Sequence, residues 1–124
     1  MDRSVEERLH AVEAFAGEIL ARLGEEVARL GFDTSEVVLQ PAEEAVYRLE
    51  KDPASGQYSL VGDWLDKRGG KRGCLLFHAD GSFFVEQDIV RPHPSRKRWF
   101  VEAVNAWGRS GNIKAEARLL PVPE

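Results

Sequence analysis

Two groups of basic side chains are the residues of this sequence whose type and spacing are best suited to binding. One group lies in a glycine-rich segment and consists of Lys67, Arg68, Lys71 and Arg72. The other consists of Arg96, Lys97 and Arg98 and is followed by the indole ring of Trp99. Lys and Arg bind phosphate and carboxylate groups, and an indole ring can stack on a nucleic-acid base. The sequence therefore predicts a surface for an anionic ligand or partner. Nucleic acid is possible but not favoured, because the net charge of the chain is −4.

The same cations have alternative partners inside the chain. Residues 1–50 carry 12 acidic and 5 basic residues, whereas residues 51–124 carry 9 acidic and 12 basic ones. Cations in the first turn of a helix are disfavoured by the helix dipole unless a negative charge lies close by. If Arg96, Lys97 and Arg98 begin a helix, the glutamates of the N-terminal segment are candidate partners. Internal ion pairs and an external anion are both open at this point.

A group of carboxylates is the third candidate. Glu86 and Asp88 share one face of a predicted strand with Phe84, and Asp63 projects from a neighbouring strand. Carboxylates that converge on a pocket can act as general acids and bases. This pattern predicts either a shallow cleft for a small molecule or substrate on the open face of a sheet, or a solvated face with cross-strand ion pairs.

The common motifs of enzymes are absent from the sequence. It contains no P-loop, dinucleotide-binding glycine pattern, EF-hand loop, C-x-x-C pair or H-E-x-x-H helix. His10, His78 and His93 do not have the spacing of metal ligands, so no metal site is predicted. Cys74 follows a basic segment that would favour its thiolate, but no base lies near it in sequence. The sequence therefore predicts a small non-enzymatic binding or interaction module with no cofactor.

The N-terminal segment has the period of an amphipathic helix. Apolar residues recur at spacings of three and four from Val5 onward, which predicts one long helix within residues 1–31, with a bend near Gly24 as an alternative. Such a helix is about 39 Å long and exceeds the diameter of a compact domain of this size. The sequence therefore predicts a homodimer or another protein partner, and the predicted interface consists of Leu9, Val12, Ala16, Ile19 and Leu23.

The middle of the chain has the pattern of an antiparallel meander of four to five strands. Apolar and polar residues alternate in short runs between residues 45 and 90. Turn sequences at residues 52–56 and at Asp80-Gly81 separate these runs. A further short strand is predicted over residues 36–40.

The C-terminal third predicts a second helix and a last strand. Ser95 is a suitable N-cap for a helix over residues 96–107, with Phe100, Ala103, Val104 and Trp107 on its buried side. Residues 113–119 alternate between apolar and charged side chains, which is typical of a half-buried strand. Residues 119–124 contain two prolines and are predicted to form a mobile tail.

These elements together predict a single α+β domain over residues 1–124, a two-layer sandwich with helices packed on one face of an antiparallel sheet. The length of 124 residues suits one domain, and a single cysteine excludes an internal disulfide. No apolar run approaches the roughly 18 residues of a membrane span, and the first residues do not resemble a signal peptide. We therefore expect a soluble, cytoplasmic protein that does not contact membranes.

Overall fold

The computed structural model describes residues 3–32 and 44–122, which form two helices followed by six strands. The elements are α1 (Arg3–Glu13), α2 (Ala16–Arg29), β1 (Glu44–Lys51), β2 (Tyr58–Leu65), β3 (Lys71–Phe77), β4 (Phe83–Pro92), β5 (Trp99–Arg109) and β6 (Asn112–Pro121). The predicted α+β class is confirmed, and the helices precede the sheet in the sequence. The strand predicted over residues 36–40 lies outside the described residues.

The six strands form one antiparallel meander in which each strand pairs with the next along the chain. The first three hairpin turns share a device that the sequence indicates. Asp52, Asp66 and Asp80 each accept a hydrogen bond from the backbone N–H two residues later, at 2.8–2.9 Å. Such Asx turns stabilise the reversal of the chain. The predicted turns at 52–56 and at Asp80-Gly81 are therefore confirmed.

The helical region predicted within residues 1–31 is present, but it consists of two helices. The break lies at Ala14 and Phe15, and not near Gly24, which lies inside α2. Phe15 has the non-helical angles φ −123° and ψ 18°. Its ring centre lies 6.0 Å from that of Phe77 and 5.4 Å from that of Phe83. Breaking the helix lets this ring enter the core, and the apolar burial compensates for the interrupted hydrogen bonds.

The helix predicted over residues 96–107 is wrong, because residues 99–109 form strand β5 and residues 96–98 lie in the turn before it. A β-bulge between Val101 and Val104 inserts an extra residue into the strand. The buried residues of β5 are consequently Val101, Val104 and Ala106, whose spacings of three and two imitate the helical period. Ser95 caps no helix; its N–H donates to Nδ1 of His93.

Three of the four side chains assigned to the buried face of that helix are not buried in the core. Val104 is buried in the core, as predicted. Trp107 pairs with Phe84 across β4 and β5, and both are half-buried on the face that points away from the helices. Phe100 pairs with Leu120 of β6 and is also half-buried. Ala103 pairs with Asp88 of β4 and is half-buried as well. The predicted role of Trp107 and Phe100 as anchors of a helix is therefore wrong.

The C-terminal strand is confirmed and is longer than predicted. It continues to Pro121, so the predicted mobile tail over 119–124 is wrong for residues 119–121. The N–H of Val122 donates to the carbonyl of Arg98 at 2.7 Å. This bond fastens the end of the strand to the hairpin between β4 and β5.

Both helices lie on one face of the sheet, which we call the inner face; the opposite face is the outer face. α2 packs on β5 and β6, and α1 packs on β1 and β2. The core between the layers contains Val27, Leu60, Leu75, Val85, Val104 and Ala106 among its buried residues. The outer face carries the alternate side chains, including Leu76, Phe84, Glu86 and Trp107.

Candidate functional sites

The basic hairpin between β2 and β3 is exposed, and half of its predicted binding residues have partners within the chain. The ammonium of Lys71 lies 3.3 Å from Asp63, and the guanidinium of Arg72 lies 3.2 Å from Asp66. Lys67 and Arg68 are exposed, and their side chains make no ion pair with any described residue. Two cations of this hairpin are therefore available to solvent, and two are held by aspartates.

The hairpin between β4 and β5 holds the second basic group. The guanidinium of Arg96 lies over the ring of Trp99, 4.7 Å from its centre, which is a cation–π contact. Arg98 has the left-handed φ of 69° at the turn, and Lys97 is exposed. Alternate hairpins of a meander lie at the same end of the sheet, so both basic groups share one end. The structure thus brings the predicted cations to one side of the molecule.

Within residues 3–32 and 44–122, the ion pairs of the helix glutamates are with other residues than these cations. Their ion pairs among the described residues are with arginines of the same helices: Glu7 with Arg3, Glu25 and Glu26 with Arg22, and Glu26 with Arg29. Glu18 accepts hydrogen bonds from the Gly111 N–H at 2.8 Å and from the Ser110 hydroxyl at 3.0 Å. Residues 96–98 do not begin a helix, so no helix dipole disfavours the positive charges of Arg96, Lys97 and Arg98.

The side chain of His93 links the C-terminal end of α2 to the β4–β5 hairpin through hydrogen bonds. Its Nε2 lies 2.8 Å from the Leu30 carbonyl, and its Nδ1 accepts from the N–H groups of Ser95 and Arg96 at 3.0 and 2.8 Å. These partners assign the proton to Nε2. The ring also lies edge-on to Phe32, with centres 5.3 Å apart. His93 therefore belongs to the scaffold that positions the second basic group.

A polar cleft of about 390 Å³ lies on the outer face, over β4, β5 and β6; we call it the outer cleft. The polar side chains that line it are those of Glu86, Asp88, Asn105 and Glu116. Bulges in β4 and β5 lie beside it, between Asp88 and Arg91 and between Val101 and Val104. Because bulges bend strands, they account for a concave region on this face.

The electrostatic character of the outer cleft is acidic. Three of its described lining residues are carboxylic acids, and none is a Lys or Arg. The Oδ1 atom of Asn105 is buried and accepts no hydrogen bond within the described structure. Glu86 and Asp88, which the sequence placed together, both line this cleft. Phe84 and Asp63, predicted with them, do not; Asp63 pairs with Arg48 at 2.8 Å instead.

The residues predicted as a dimer interface come together on the inner side of the molecule. All five line an apolar cleft of about 180 Å³ between the helices and the sheet; we call it the inner cleft. Val12, Ile19 and Leu23 are buried there, whereas Leu9 and Ala16 are half-buried. Tyr47, Trp64, Leu75 and Val85 line the sheet side. The chain's own sheet thus covers much of the predicted interface, and the homodimer stays a prediction.

Within the part of the chain that the structure describes, Cys74 and the histidines are not arranged as catalytic groups or metal ligands. Burial raises the pKa of the Cys74 thiol, which opposes the thiolate form that a reactive cysteine needs. Nδ1 of His78 lies 2.9 Å from the Ser59 hydroxyl, and His10 is exposed on α1. No group of three or more potential ligands that could hold a metal is found among residues 3–32 and 44–122.

Sequence reasoning missed Asn105 and Glu116 in the outer cleft and Tyr47 and Trp64 in the inner cleft. Asn105 was assigned to a helix, so it was not placed next to Glu86, its partner across β4 and β5. Tyr47 and Trp64 pair with Gly62 and Gly73 on neighbouring strands. An aromatic residue and a glycine at matching strand positions is the pattern that could have indicated them.

Neither α1 nor α2, the helices of the described structure, combines the length and the apolar composition that a membrane-spanning helix requires. Comparisons of the chain with protein-family models, with curated proteins and with solved structures each find no match. The functional inference therefore rests on the residues and their geometry.

Proposed function

We propose that this protein is a small non-enzymatic interaction module, and that its outer cleft binds a basic segment of a partner protein in the cytoplasm. The observation that carries the proposal is the concave, acidic character of the outer cleft. Its volume of about 390 Å³ falls within the range of roughly 300–1,000 Å³ that is common for ligand pockets. The single cysteine supports a reducing compartment.

Charge complementarity indicates the kind of partner. Glu86, Asp88 and Glu116 place three carboxylic acids in the wall of one cleft. Carboxylates bind the guanidinium of Arg in a two-point geometry and the ammonium of Lys as a point charge. A basic side chain of a partner is therefore the group that this cleft fits best.

Apolar surface beside the outer cleft supports a peptide or protein ligand over a small amine. Phe84 precedes Glu86 by two residues on the same face of β4, and Trp107 follows Asn105 by two on β5. Both rings are half-buried and thus partly accessible. The aliphatic stem of a bound Lys or Arg, or an adjacent apolar residue of the partner, can pack on them.

Selection of peptides tests this proposal. Random eight-residue peptides displayed on phage are selected against the wild-type protein, and the enriched sequences are synthesised. We expect enrichment of Arg and Lys, and at least tenfold weaker binding of those peptides to Glu86→Gln/Asp88→Asn by fluorescence anisotropy.

The matched control is Glu7→Gln/Glu13→Gln, which changes the net charge by the same amount on exposed positions of α1. This variant should bind the selected peptides like the wild type. The proposal is wrong if the enriched peptides lack basic residues, or if the cleft variant and the control variant bind them equally.

Anion binding at the basic end of the sheet is a second candidate. Arg96 stacked on Trp99 offers a cation and an aromatic face together, and Lys67, Arg68 and Lys97 are exposed. Binding to a single-stranded oligonucleotide should then weaken steeply between 50 and 200 mM salt, by about tenfold or more. Trp99→Ala and Lys67→Gln/Arg68→Gln should each weaken it, whereas absence of binding at 50 mM salt excludes this function.

The predicted homodimer is a separate proposal about partners. The exposed apolar side chain of Leu20, at the rim of the inner cleft, supports it. Light scattering at tens of micromolar protein should give twice the chain mass of 13.9 kDa. A monomer mass under these conditions would remove it.

A further inference from the structure

We infer that the inner cleft is a second binding site, for a small apolar molecule of about the size of benzene or indole. This site lies on the opposite face of the sheet from the outer cleft and is independent of the function proposed for that cleft. It is an alternative to the homodimer proposed above, because the predicted dimer interface lines the same inner cleft. Its walls are α1 and α2 on one side and the strands that carry Tyr47, Trp64 and Leu75 on the other.

The chemistry of the walls defines the class of ligand. Ten of the eleven described lining residues are aliphatic or aromatic, and the remaining one, Glu13, is exposed. Tyr47 and Trp64 contribute rings that can contact another ring edge-on or offset. An apolar molecule is therefore preferred, since a strongly polar one would lose its hydrogen bonds to water without replacement.

The floor of the inner cleft is built by two pairs of an aromatic residue and a glycine. A Cβ atom on Gly62 would lie 2.5 Å from Cε1 of Tyr47. One on Gly73 would meet the Glu86 carbonyl oxygen of the neighbouring strand first and would lie 2.9 Å from Cε3 of Trp64. Real Cβ atoms do not approach other atoms so closely, so the Tyr47 ring occupies the space that a side chain on Gly62 would need, and at Gly73 the Trp64 ring shares that space with the neighbouring strand. Both rings thus lie against the sheet.

The volume of the inner cleft limits the size of the ligand. Its 180 Å³ is close to the roughly 150 Å³ of an apolar engineered cavity that binds benzene. A molecule of six to about ten non-hydrogen atoms matches this space. A helix of a partner protein does not, because it could place only one side chain there.

The rim of the inner cleft provides a route of entry. Leu20 is 44% exposed and Ala16 is half-buried, so the opening lies beside the break between α1 and α2. The small side chain of Ala16 leaves the entrance unblocked. A larger side chain at this position would fill the space without disturbing the buried residues below it.

Benzene is the probe for the test, and thermal unfolding is the first readout. A ligand that binds the folded state at ten times its Kd should raise the Tm of a domain of this size by about 4–7 °C. Nuclear Overhauser contacts between benzene and the Trp64 ring in the wild-type protein provide a second readout that needs no variant. Ala16→Leu should abolish both effects, and Ala16→Met provides a milder filling variant.

The control is Ala21→Leu, an equivalent change at an exposed position of the same helix, which should respond to benzene like the wild type. The inference is wrong if saturating benzene does not raise the Tm of the wild type. It is also wrong if benzene raises the Tm of Ala16→Leu and Ala16→Met as much as it raises the Tm of the wild type. If these substitutions convert a dimer into a monomer, the occupant of the cleft is a second copy of the chain, and the inference is wrong as well.

Discussion

The interface between the helices and the sheet is tightly packed along one half and loosely packed along the other. Where α2 lies on β5 and β6, Val27, Val104, Ala106 and Ala117 are all at most 4% exposed. Where α1 and the start of α2 face β1, β2 and β3, a cleft of 180 Å³ remains and Ala16 is half-buried. We refer to these regions as the closed seam and the inner cleft.

Side-chain size on the sheet explains part of this difference. The closed seam has alanines at Ala106 and Ala117, whose small side chains let the helix approach the strands. In the inner cleft the sheet has glycines, but the rings of Tyr47 and Trp64 take the space above them. A ring that lies flat on a glycine holds the helix further away than a methyl group does.

Polar contacts at both ends of α2 explain the remaining part of the difference in packing between the closed seam and the inner cleft. Glu18 binds the turn between β5 and β6, and Nε of Arg22 donates to the Ile113 carbonyl at 3.2 Å. His93 binds the carbonyl of Leu30 just beyond the other end. These contacts hold α2 on the closed seam. The small side chains on the sheet and the contacts at the ends of the helix therefore determine together how closely α2 packs on the sheet.

The largest expected effect is at Phe15, where the two regions meet. Phe15 is 8% exposed and contacts Phe77 and Phe83 at the break between the helices. Phe15→Ala should lower the free energy of unfolding by about 3–5 kcal/mol, as measured by urea denaturation. Leu20→Ala, at an exposed position, should cost less than about 1 kcal/mol; equal losses in the two variants would contradict the assignment of Phe15 to the core.

The same substitution in the two regions tests their difference directly. Ala106 is fully buried in the closed seam, so Ala106→Leu should destabilise the protein by about 1–3 kcal/mol or more through overpacking. Ala16→Leu should be neutral or stabilising, because the inner cleft has room for the added atoms. Chemical denaturation of both variants measures this contrast, and a similar loss at both positions would show that the two regions are equally packed.

Loss of the His93 contact beyond the C-terminal end of α2 should have a smaller effect on the free energy of unfolding. His93→Ala removes an acceptor for two backbone N–H groups and the partner of the Leu30 carbonyl. Since the freed N–H groups of Ser95 and Arg96 are exposed and can bind water, we expect a loss of about 1–2 kcal/mol. His10→Ala, on the exposed face of α1, should change stability by less than about 0.5 kcal/mol.

The sequence was sufficient for the elements that depend on local patterns. The alternation in β1, β2 and β6 and the turns at Asp52 and Asp80 each depend on residues within a short window, and these predictions are confirmed. The same local reasoning failed at β5. A bulge shifts the period of two that identifies a strand, and it changes the buried positions to 101, 104 and 106.

The candidate sites depend on contacts that no short window contains. Glu86 and Asp88 were grouped correctly because they share one strand, but Asn105 and Glu116 join them only through the register of β4, β5 and β6. The apolar stripe on the helices was recognised by its period. Whether a second copy or the chain's own sheet covers it depends on the break at Phe15, which lets the two helices follow one sheet.

The smallest expected effect concerns the hairpin beside the inner cleft and appears only in acid. The N–H groups of Gly70 and Arg68 hold the pKa of Asp66 below its ordinary value of 3.8. A carboxyl whose pKa is lowered by folding stabilises the folded state above its unfolded pKa, and this contribution is lost as the pH falls through the folded pKa.

Asp66→Asn tests this contribution, since an asparagine carbonyl can still accept the two N–H bonds but lacks the charge that faces Arg72, 3.2 Å away. The wild type should be the more stable protein at pH 7, and the difference should shrink as the pH falls below 3.8. Urea denaturation at pH 7, 5, 4 and 3 measures it, with Glu13→Gln on the exposed face of α1 as the control. A difference that does not vary with pH would show that the Asp66 side chain stabilises the turn through its shape and hydrogen bonds, and not through its charge.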